Sequence, residues 1–504
     1  MQYALTAQQM RAIEERAVAE GIATLGELME RAGAALASEA LRRVPEGDVL
    51  VVCGPGNNGG DGWVAARMLQ AAGRRVRVLS LVAVEALASP AAEAAGAALA
   101  AGVPWALVGT AAVSLEGVAA IVDAMFGFGL RGAIREPAAA VVAAIADSGA
   151  FVLSADVPSG VDADTGAVAG LAVRADVTVT FTAHKRGLLL YPGAEHAGAI
   201  VVADIGIPPG MVEAEGGLEV PRPSDFQPIF PWPETGDHKG ARGRVAVIAG
   251  SAMYSGAAVL AVSGALRMGA GYVYAVVPEP MADVVRMTLP SAIVRAVPAA
   301  LDGSMARVDA VLTAVADADA IVVGPGLTTS PSVGEIVRAL VRDATAPVVL
   351  DADALNVLGG DLASLDAARV PLVITPHPGE AARLLGCDTG EVVADRPGAA
   401  ARLAGESRVS LLKGARTLVA SADRMAVVLA GNAGLARAGS GDVLTGMIGT
   451  LLAQGVAPFD AAVVAAHLHG RAAEFGTARL TETCFTSADI VGFLPDAVRE
   501  VRSG

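Results

Sequence analysis

The sequence is poor in cysteine, in aromatic residues and in clustered positive charge. Its three cysteines, Cys53, Cys387 and Cys484, stand far apart. That spacing indicates neither a disulfide framework nor a zinc knuckle and suits a reducing cytoplasm. Lys and Arg number 37 against 52 Asp and Glu, for a formal net charge of -15. A chain of this balance lacks the phosphate-neutralising surface that a nucleic-acid binder needs. No basic-then-apolar leader opens "MQYALTAQQMRAIEERAV", so no signal peptide is expected. The uncharged stretch Ala94–Leu115 is interrupted by Gly96, Gly102, Pro104 and Gly109 and is built on Ala rather than Leu, which argues against a membrane span. There is no G-x-x-x-x-G-K-[ST] phosphate loop.

What is present is apolar material in short runs. Hydrophobic residues make up 53% of the 504 residues, with aromatics only 4%, so the cores are to be built from small and branched aliphatic side chains. The length allows roughly two to four domains. Val/Ile-rich runs recur in the first half as "DVLVVCG", "RVRVLSL", "AAIVDAMFG", "FVLSADVPSG" and "VTVTFT", with Ala-rich helical stretches between them. The alternation predicts a parallel sheet covered on both faces. Ahead of them, Thr6–Arg43 predicts two helices, with Thr6 and Thr24 as N-cap candidates. Residues 207–240 are dense in Pro and Gly and lack helical periodicity. Strand–helix alternation then resumes in "RVAVIAG", "YVYAVVP", "DAIVVGPG", "PVVLDADAL", "PLVITPHPGE" and "RVSLLKGART". The expected organisation is α/β with two doubly wound domains, 1–215 and 237–504, joined by a linker at 216–236.

Ligands of open parallel sheets bind beyond the carboxyl ends of the strands, and the unusual polar residues fall there. Gly54, Gly56 and Gly59 of "GPGNNGGDG" fit the G-x-G-x-x-G dinucleotide fingerprint. The acidic residue that holds a ribose about twenty positions later is missing, because "RVRVLSL" carries no carboxylate. Hydride transfer is therefore disfavoured, while a phosphate at the helix N-terminus remains possible. Two neighbouring strand ends carry Asp123, then a glycine-rich loop, and Asp156 with Ser159. Asn, Asp and Ser oxygens gathered this way suit an alkali or alkaline-earth cation rather than zinc.

The N-N-G-G-D loop, the D-A-x-F-G-x-G loop and the D-x-P-S-G turn, in that order, resemble the NAD(P)H-hydrate epimerase family, with a Rossmann-like fold over roughly residues 1–215. The resemblance implies that the substrate meets Asn57, Asn58, Gly59, Gly60, Asp61, Gly127, Phe128, Gly129, Leu130, Arg131, Gly132, Ala133 and Asp156. It implies potassium at Asn58, Asp123 and Ser159, and Asp156 as the acid/base. Some relatives carry Lys at position 131; Arg131 is a poor proton donor and is assigned charge stabilisation only.

In the second half, "GNAGLARAGSGDVLTGMIGTLLAQG" sets Gly439-Ser440-Gly441-Asp442 before an apolar helical run. Free N–H groups at a helix start can hold phosphoryl oxygens while Asp442 takes a proton from an attacking hydroxyl. The stretch resembles the anion-hole motif of ribokinase-like enzymes. Together with "RVAVIAGSAMYSGAA", "VVGPGL", "LDADALN", "TPHPGE" and "LKGART", it is similar to the ADP/ATP-dependent NAD(P)H-hydrate dehydratase family. That resemblance implies hydrate contacts at Ala257, Gly326, His377 and Asp442, and adenine-nucleotide contacts at Lys413, Gly414, Ala415, Arg416, Thr417 and Gly441. His377 also has a plainer reading, a satisfied loop histidine after Pro376, but the "TPHPGE" match favours the ligand contact. His467 and His469 in "AAHLHG" are expected to pack rather than bind metal. Arg437 and Ala438 replace a Thr-Gly pairing common in relatives. Magnesium is expected with ADP or ATP, though no ligand set for it stands out.

The implied chemistry is metabolite repair by a bifunctional lyase and isomerase. Water adds to reduced nicotinamide to give two epimers; one unit would interconvert the R- and S-forms, and the other would dehydrate the S-form at the expense of ADP or ATP. A cytoplasmic homo-oligomer without nucleic-acid or membrane partners is expected. The alternatives are a ribokinase-like kinase of a small vitamin-like alcohol, and a non-catalytic scaffold.

Overall fold

A computed structural model describes residues 1–109, 115–130 and 132–503. The chain resolves into two compact units, Gln2–Glu219 and Val220–Gly504, with Met1 grouped with the second.

In the unit Gln2–Glu219, an all-parallel sheet runs in the order Trp105–Leu107, Val76–Ser80, Asp48–Cys53, Val118–Ala124, Phe151–Ala155, Val177–Phe181, Ala199–Ala203. The order reverses between Asp48–Cys53 and Val118–Ala124, the switch point at which such sheets open a crevice. Along Asp48–Cys53 side chains alternate between two cores. Val49, Val51 and Cys53 pack with the helices Leu25–Arg43, Asn57–Ala71 and Ala91–Ala100, while Leu50 and Val52 pack with Ala138–Asp147. Burial on both faces explains the unbroken apolar run. Thr6 and Thr24 each cap a helix through a reciprocal capping box, with Gln9 and Glu27.

In the unit Val220–Gly504, seven parallel strands run in the order Ile293–Val297, Tyr272–Pro278, Arg244–Ile248, Ala320–Val323, Val348–Leu350, Leu372–Ile374, Arg408–Leu412. Thr417–Ala420 and Met425–Val428 then extend the sheet antiparallel. Helices Ser255–Arg267 and Ser440–Ala453 cross at paired glycines. A Cβ on Gly446 would stand 2.0 Å from the Ala261 carbonyl oxygen, and one on Gly264 would stand 2.3 Å from that of Val443. The small residues of both helices thus permit backbone-to-backbone contact.

All eleven strands expected from the apolar runs form. Trp105–Leu107, Ala199–Ala203, Ile293–Val297 and the final hairpin were not anticipated; the first is three residues long and exposed, with little pattern to read. The stretch 216–236 is not simply a linker, since Pro223–Phe226 is a short helix and Phe226 is 1% exposed within the second unit's core. Among the described residues no helix is long and apolar enough to cross a membrane.

Candidate active sites

The fingerprint glycines divide by role. A Cβ on Gly54 would stand 1.7 Å from the Met125 carbonyl oxygen, and one on Gly59 2.0 Å from that of Gly54. A Cβ on Gly56 would meet nothing within 4 Å, and Gly56 lines a cavity of about 630 Å³. The outer glycines let strand, helix and neighbouring loop close; the middle one keeps the mouth clear. Helix Asn57–Ala71 starts there with no side-chain cap.

The cavity gathers Asn57, Asn58, Asp61, Gly127, Phe128, Gly129, Leu130 and Asp156, much of the set inferred from sequence. Gly59, Gly60, Gly132 and Ala133 do not line it, and Arg131 lies outside the described residues. Asp156 closes the strand Phe151–Ala155 with φ at 64°, a left-handed conformation that costs energy for a non-glycine residue. Its Oδ1 meets Lys185 Nζ at 2.6 Å and accepts from Thr180 Oγ1 at 3.2 Å; its Oδ2 accepts from Phe128 N–H at 3.3 Å. Lys185 is buried and also donates to the Phe181 and Ala183 carbonyls.

Asp123 points elsewhere. Its Oδ1 accepts from Ser159 Oγ at 2.6 Å, and its Oδ2 from Ser154 Oγ and Ser159 N–H, both at 2.9 Å. Burial pushes its carboxyl above the usual range, and these neutral donors only partly offset that. With its nitrogen donating to the Ala155 carbonyl at 3.2 Å, the Asn58 amide oxygen accepts from Gly127 N–H at 3.3 Å. The strand ends thus form two polar clusters: the oxygens of Asp123, Ser159 and Ser154, and the ion pair of Asp156 and Lys185 with the Thr180 hydroxyl.

The second site is built on the helix Ser440–Ala453. Gly439 enters it at φ 91°, and no side chain caps it, so the first-turn N–H groups, including those of Gly441 and Asp442, have no intrahelical acceptor. Burial first, then the nearby charge of Asp351, raises the Asp442 carboxyl to about 7, against a lowering pull from Lys413. Lys413 Nζ is 2.7 Å from Asp351 Oδ1 and 3.9 Å from Glu380. Burial alone would raise the Asp351 carboxyl, but Lys413, with Thr445 and Thr375, holds it below its usual range. Thr445 Oγ1 donates to Asp351 Oδ2 at 2.8 Å. A Cβ on Gly441 would stand 3.2 Å from Lys413 Nζ, so the loop lysine and the helix start adjoin.

Lys413–Thr417 is the turn of a hairpin, closed by the Leu412–Leu418 pair. Ala257 and Gly326 adjoin, a Cβ on Gly326 standing 2.8 Å from that of Ala257. His377 caps the helix Pro378–Leu385, its Nδ1 accepting from Gly379 N–H at 3.0 Å while Glu380 binds back to His377 N–H at 2.8 Å. Its imidazole remains half exposed. His467 and His469 are buried in the helix Pro458–Cys484, and desolvation takes each to about 4. Among the described residues no group of three or more His, Cys, Asp or Glu could hold a metal.

Sequence reasoning missed Lys185 and Glu14 in the first site and gave Asp351 no role in the second. Asp351 had a signal, a carboxylate ending the apolar run "PVVLD". Lys185 had a weaker one, a lysine just beyond "VTVTFT". Glu14 had none, because only the packed helix brings it to the cavity.

Two doubly wound units, one with a polar crevice at its sheet's switch point and one with a carboxylate beside an uncapped helix start, define an enzyme with two nucleotide-handling sites. Residues 25–187 match the family model described as YjeF-related protein N-terminus, and residues 245–491 match that described as NAD(P)H-hydrate dehydratase. Among curated proteins, the chain is 37% identical to the bifunctional NAD(P)H-hydrate repair enzyme Nnr of Moorella thermoacetica, over 99% of this chain and 97% of that one. It is 36% identical to the protein of that name in Escherichia coli K12, over 94% and 89%. A solved structure of the ADP/ATP-dependent NAD(P)H-hydrate dehydratase from Bacillus subtilis, co-crystallised with ATP and Mg²⁺, is 30% identical and covers 56% of this chain and 99% of its own, with a TM-score of 0.48. The chain belongs to the bifunctional NAD(P)H-hydrate repair enzyme family.

Proposed function

We propose that the unit Gln2–Glu219 interconverts the R- and S-forms of NAD(P)H hydrate and that the unit Val220–Gly504 dehydrates the S-form, using ADP or ATP. Asp442 removes the proton of the C6 hydroxyl, whose oxygen attacks the terminal phosphoryl group. The phosphate ester then leaves as inorganic phosphate, driven by the ring nitrogen's lone pair, and loss of the C5 proton restores the dihydronicotinamide. The products are NAD(P)H, phosphate, and AMP or ADP. Lys413 and the N–H groups of Gly441 and Asp442 stabilise the phosphoryl oxygens, and residues 413–417 form the nucleotide loop. Ala257, Gly326 and His377 lie on the hydrate side.

The observation that carries this reading is Asp442 itself, a carboxyl raised to about 7 at an uncapped helix start, matched to taking a proton near neutrality. A magnesium ion would enter with the nucleotide's phosphates. In the first unit, Asp123 is a buried carboxylate whose hydrogen-bond donors are all neutral, and with Asn58 and Ser159 it suits a potassium ion that balances its charge. Three unpaired cysteines suit a cytoplasmic setting, and the self-association implied by the family resemblance is part of the same reading.

The test mixes both hydrate epimers with ADP or ATP and follows recovery of reduced-nicotinamide absorbance, with and without potassium. Full recovery with one phosphate released per NAD(P)H is the expected result. A stable phosphorylated product would instead favour a small-alcohol kinase.

A further inference from the structure

The cavity of the first unit holds more ionisable groups than Asp156. Glu14 on the helix Ala7–Ala19 lines it, with Arg11 and Glu15 of the same helix, Asp61 of the helix Asn57–Ala71, and Lys185 beyond the strand Val177–Phe181. These groups are not equivalent. Asp156 is engaged at both oxygens, by an ammonium, a hydroxyl and a backbone N–H. Glu14 has no hydrogen-bond or ion-pair partner among the described residues. Arg11 faces Phe128, its guanidinium carbon 5.7 Å from the ring centroid, rather than pairing with Glu14.

Burial raises the Glu14 carboxyl to about 7, with Asp156 reinforcing the rise and Lys185 and Arg11 opposing it. Asp61 is raised well above its ordinary value by burial, then by Asp156 and Glu14. One cavity therefore contains a carboxylate held by a buried lysine and a free carboxyl that keeps its proton near neutrality. Two carboxyls in unlike surroundings, one ion-paired and one without a partner, are how a site divides acid and base work.

We propose that Glu14 is the general acid of the epimerase site: it protonates the departing C6 hydroxyl, and Asp156 accepts the proton of the water that returns. This rests on the epimerase reading of the first unit. The Glu14 O–H bond breaks as its proton joins the hydroxyl. The C6–O bond breaks with its electron pair leaving on water, and the ring nitrogen's lone pair closes a C=N bond. Water then adds to C6 from the other face, the C=N pair returns to nitrogen, and the surplus proton goes to Asp156. Passage of that proton to Glu14, through solvent or Asp61, resets the site. No oxidant or further reactant is required.

The test compares wild type, Glu14→Gln, Glu14→Asp and Asp61→Asn in interconversion of the separated epimers, resolved chromatographically, from pH 5 to 9. Spontaneous inversion is subtracted. The wild-type rate should fall as pH rises through about 7, as the acid is lost. Glu14→Gln should slow inversion roughly 100- to 10,000-fold and erase that limb. Glu14→Asp should restore part of the rate together with the limb. Dehydration of the S-form and thermal stability serve as folding controls. Infrared difference spectra at pH 6 give a readout besides activity: wild type minus Glu14→Gln should show a protonated-carboxyl band, the signals of Asp61 and Asp442 cancelling. An unchanged rate and limb in Glu14→Gln, a limb lost only in Asp61→Asn, or no protonated-carboxyl band in the difference spectrum would overturn the proposal. Wild type that inverts neither epimer faster than buffer would instead remove the epimerase reading beneath it.

Discussion

Lys413 Nζ lies 2.7 Å from Asp351 Oδ1, so the ammonium nearest the candidate base is already paired with a different carboxylate. Among the described residues no ion pair joins Lys413 to Asp442. Asp442 thus keeps its affinity for a proton while a positive charge stays beside it for the phosphoryl group. Replacing Asp442 by Asn should lower dehydration by roughly 100- to 10,000-fold, measured with S-form hydrate and ADP or ATP. In the wild type, kcat/KM should rise with pH through about 7 as the base loses its proton; a flat profile would contradict the assignment.

The same carboxyl should affect stability. Its folded value, raised from 3.8 to about 7, means that the folded chain binds the proton more tightly than the unfolded chain. The resulting stabilisation is fully present below about 4 and is lost as pH rises through about 7. Asp442→Asn lacks this dependence. Its Tm relative to wild type should therefore climb between pH 4 and pH 8, as followed by scanning calorimetry.

Arg396 should matter for the nucleotide. Its guanidinium donates to the Leu412, Lys413 and Arg416 carbonyls at 3.2–3.4 Å, bracing both sides of the 413–417 turn. Losing charged hydrogen bonds of this kind costs about 1.5–3 kcal/mol each at most. Arg396→Ala should raise the KM for ADP or ATP by roughly tenfold or more, leaving the KM for hydrate unchanged. Arg396→Lys should restore little, because a single ammonium cannot span three carbonyls.

Lys185→Ala tests the buried pair in the first unit. Removing one partner of a buried ion pair costs about 3–5 kcal/mol, so urea titration should show a large loss. Asp156→Ala should leave one hydrate epimer unrescued in the coupled assay, beyond what spontaneous inversion returns.

Much of both sites was legible in the sequence because both sheets are parallel. Continuous Val/Ile runs mark such strands, and the polar residues beyond them, Asp123, Asp156 and Asp351, fall at the carboxyl edge where ligands bind. Helix starts were legible where a side chain announces them, as at Thr6 and Thr24. The pairings were not. Nothing local says that Asp123 turns to Ser159 while Asp156 turns to Lys185, or that Glu14 lines the cavity of Asp156 from a helix far back in the chain. Those choices follow from tertiary packing. The closing hairpin was hidden for a related reason: Thr417–Ala420 and Met425–Val428 are four residues each, too short to announce a change from parallel to antiparallel pairing.

The hairpin of Arg408–Leu412 and Thr417–Ala420 ties the proposed nucleotide loop to the sheet at both ends, through the Leu412–Leu418 pair. Strand faces alternate residue by residue, so adding or deleting one residue in 413–417 would exchange Leu418 and Val419, both fully buried, between the two faces of the sheet. The loop's chemistry can change by substitution, whereas its length is held by the hydrophobic interior beneath it.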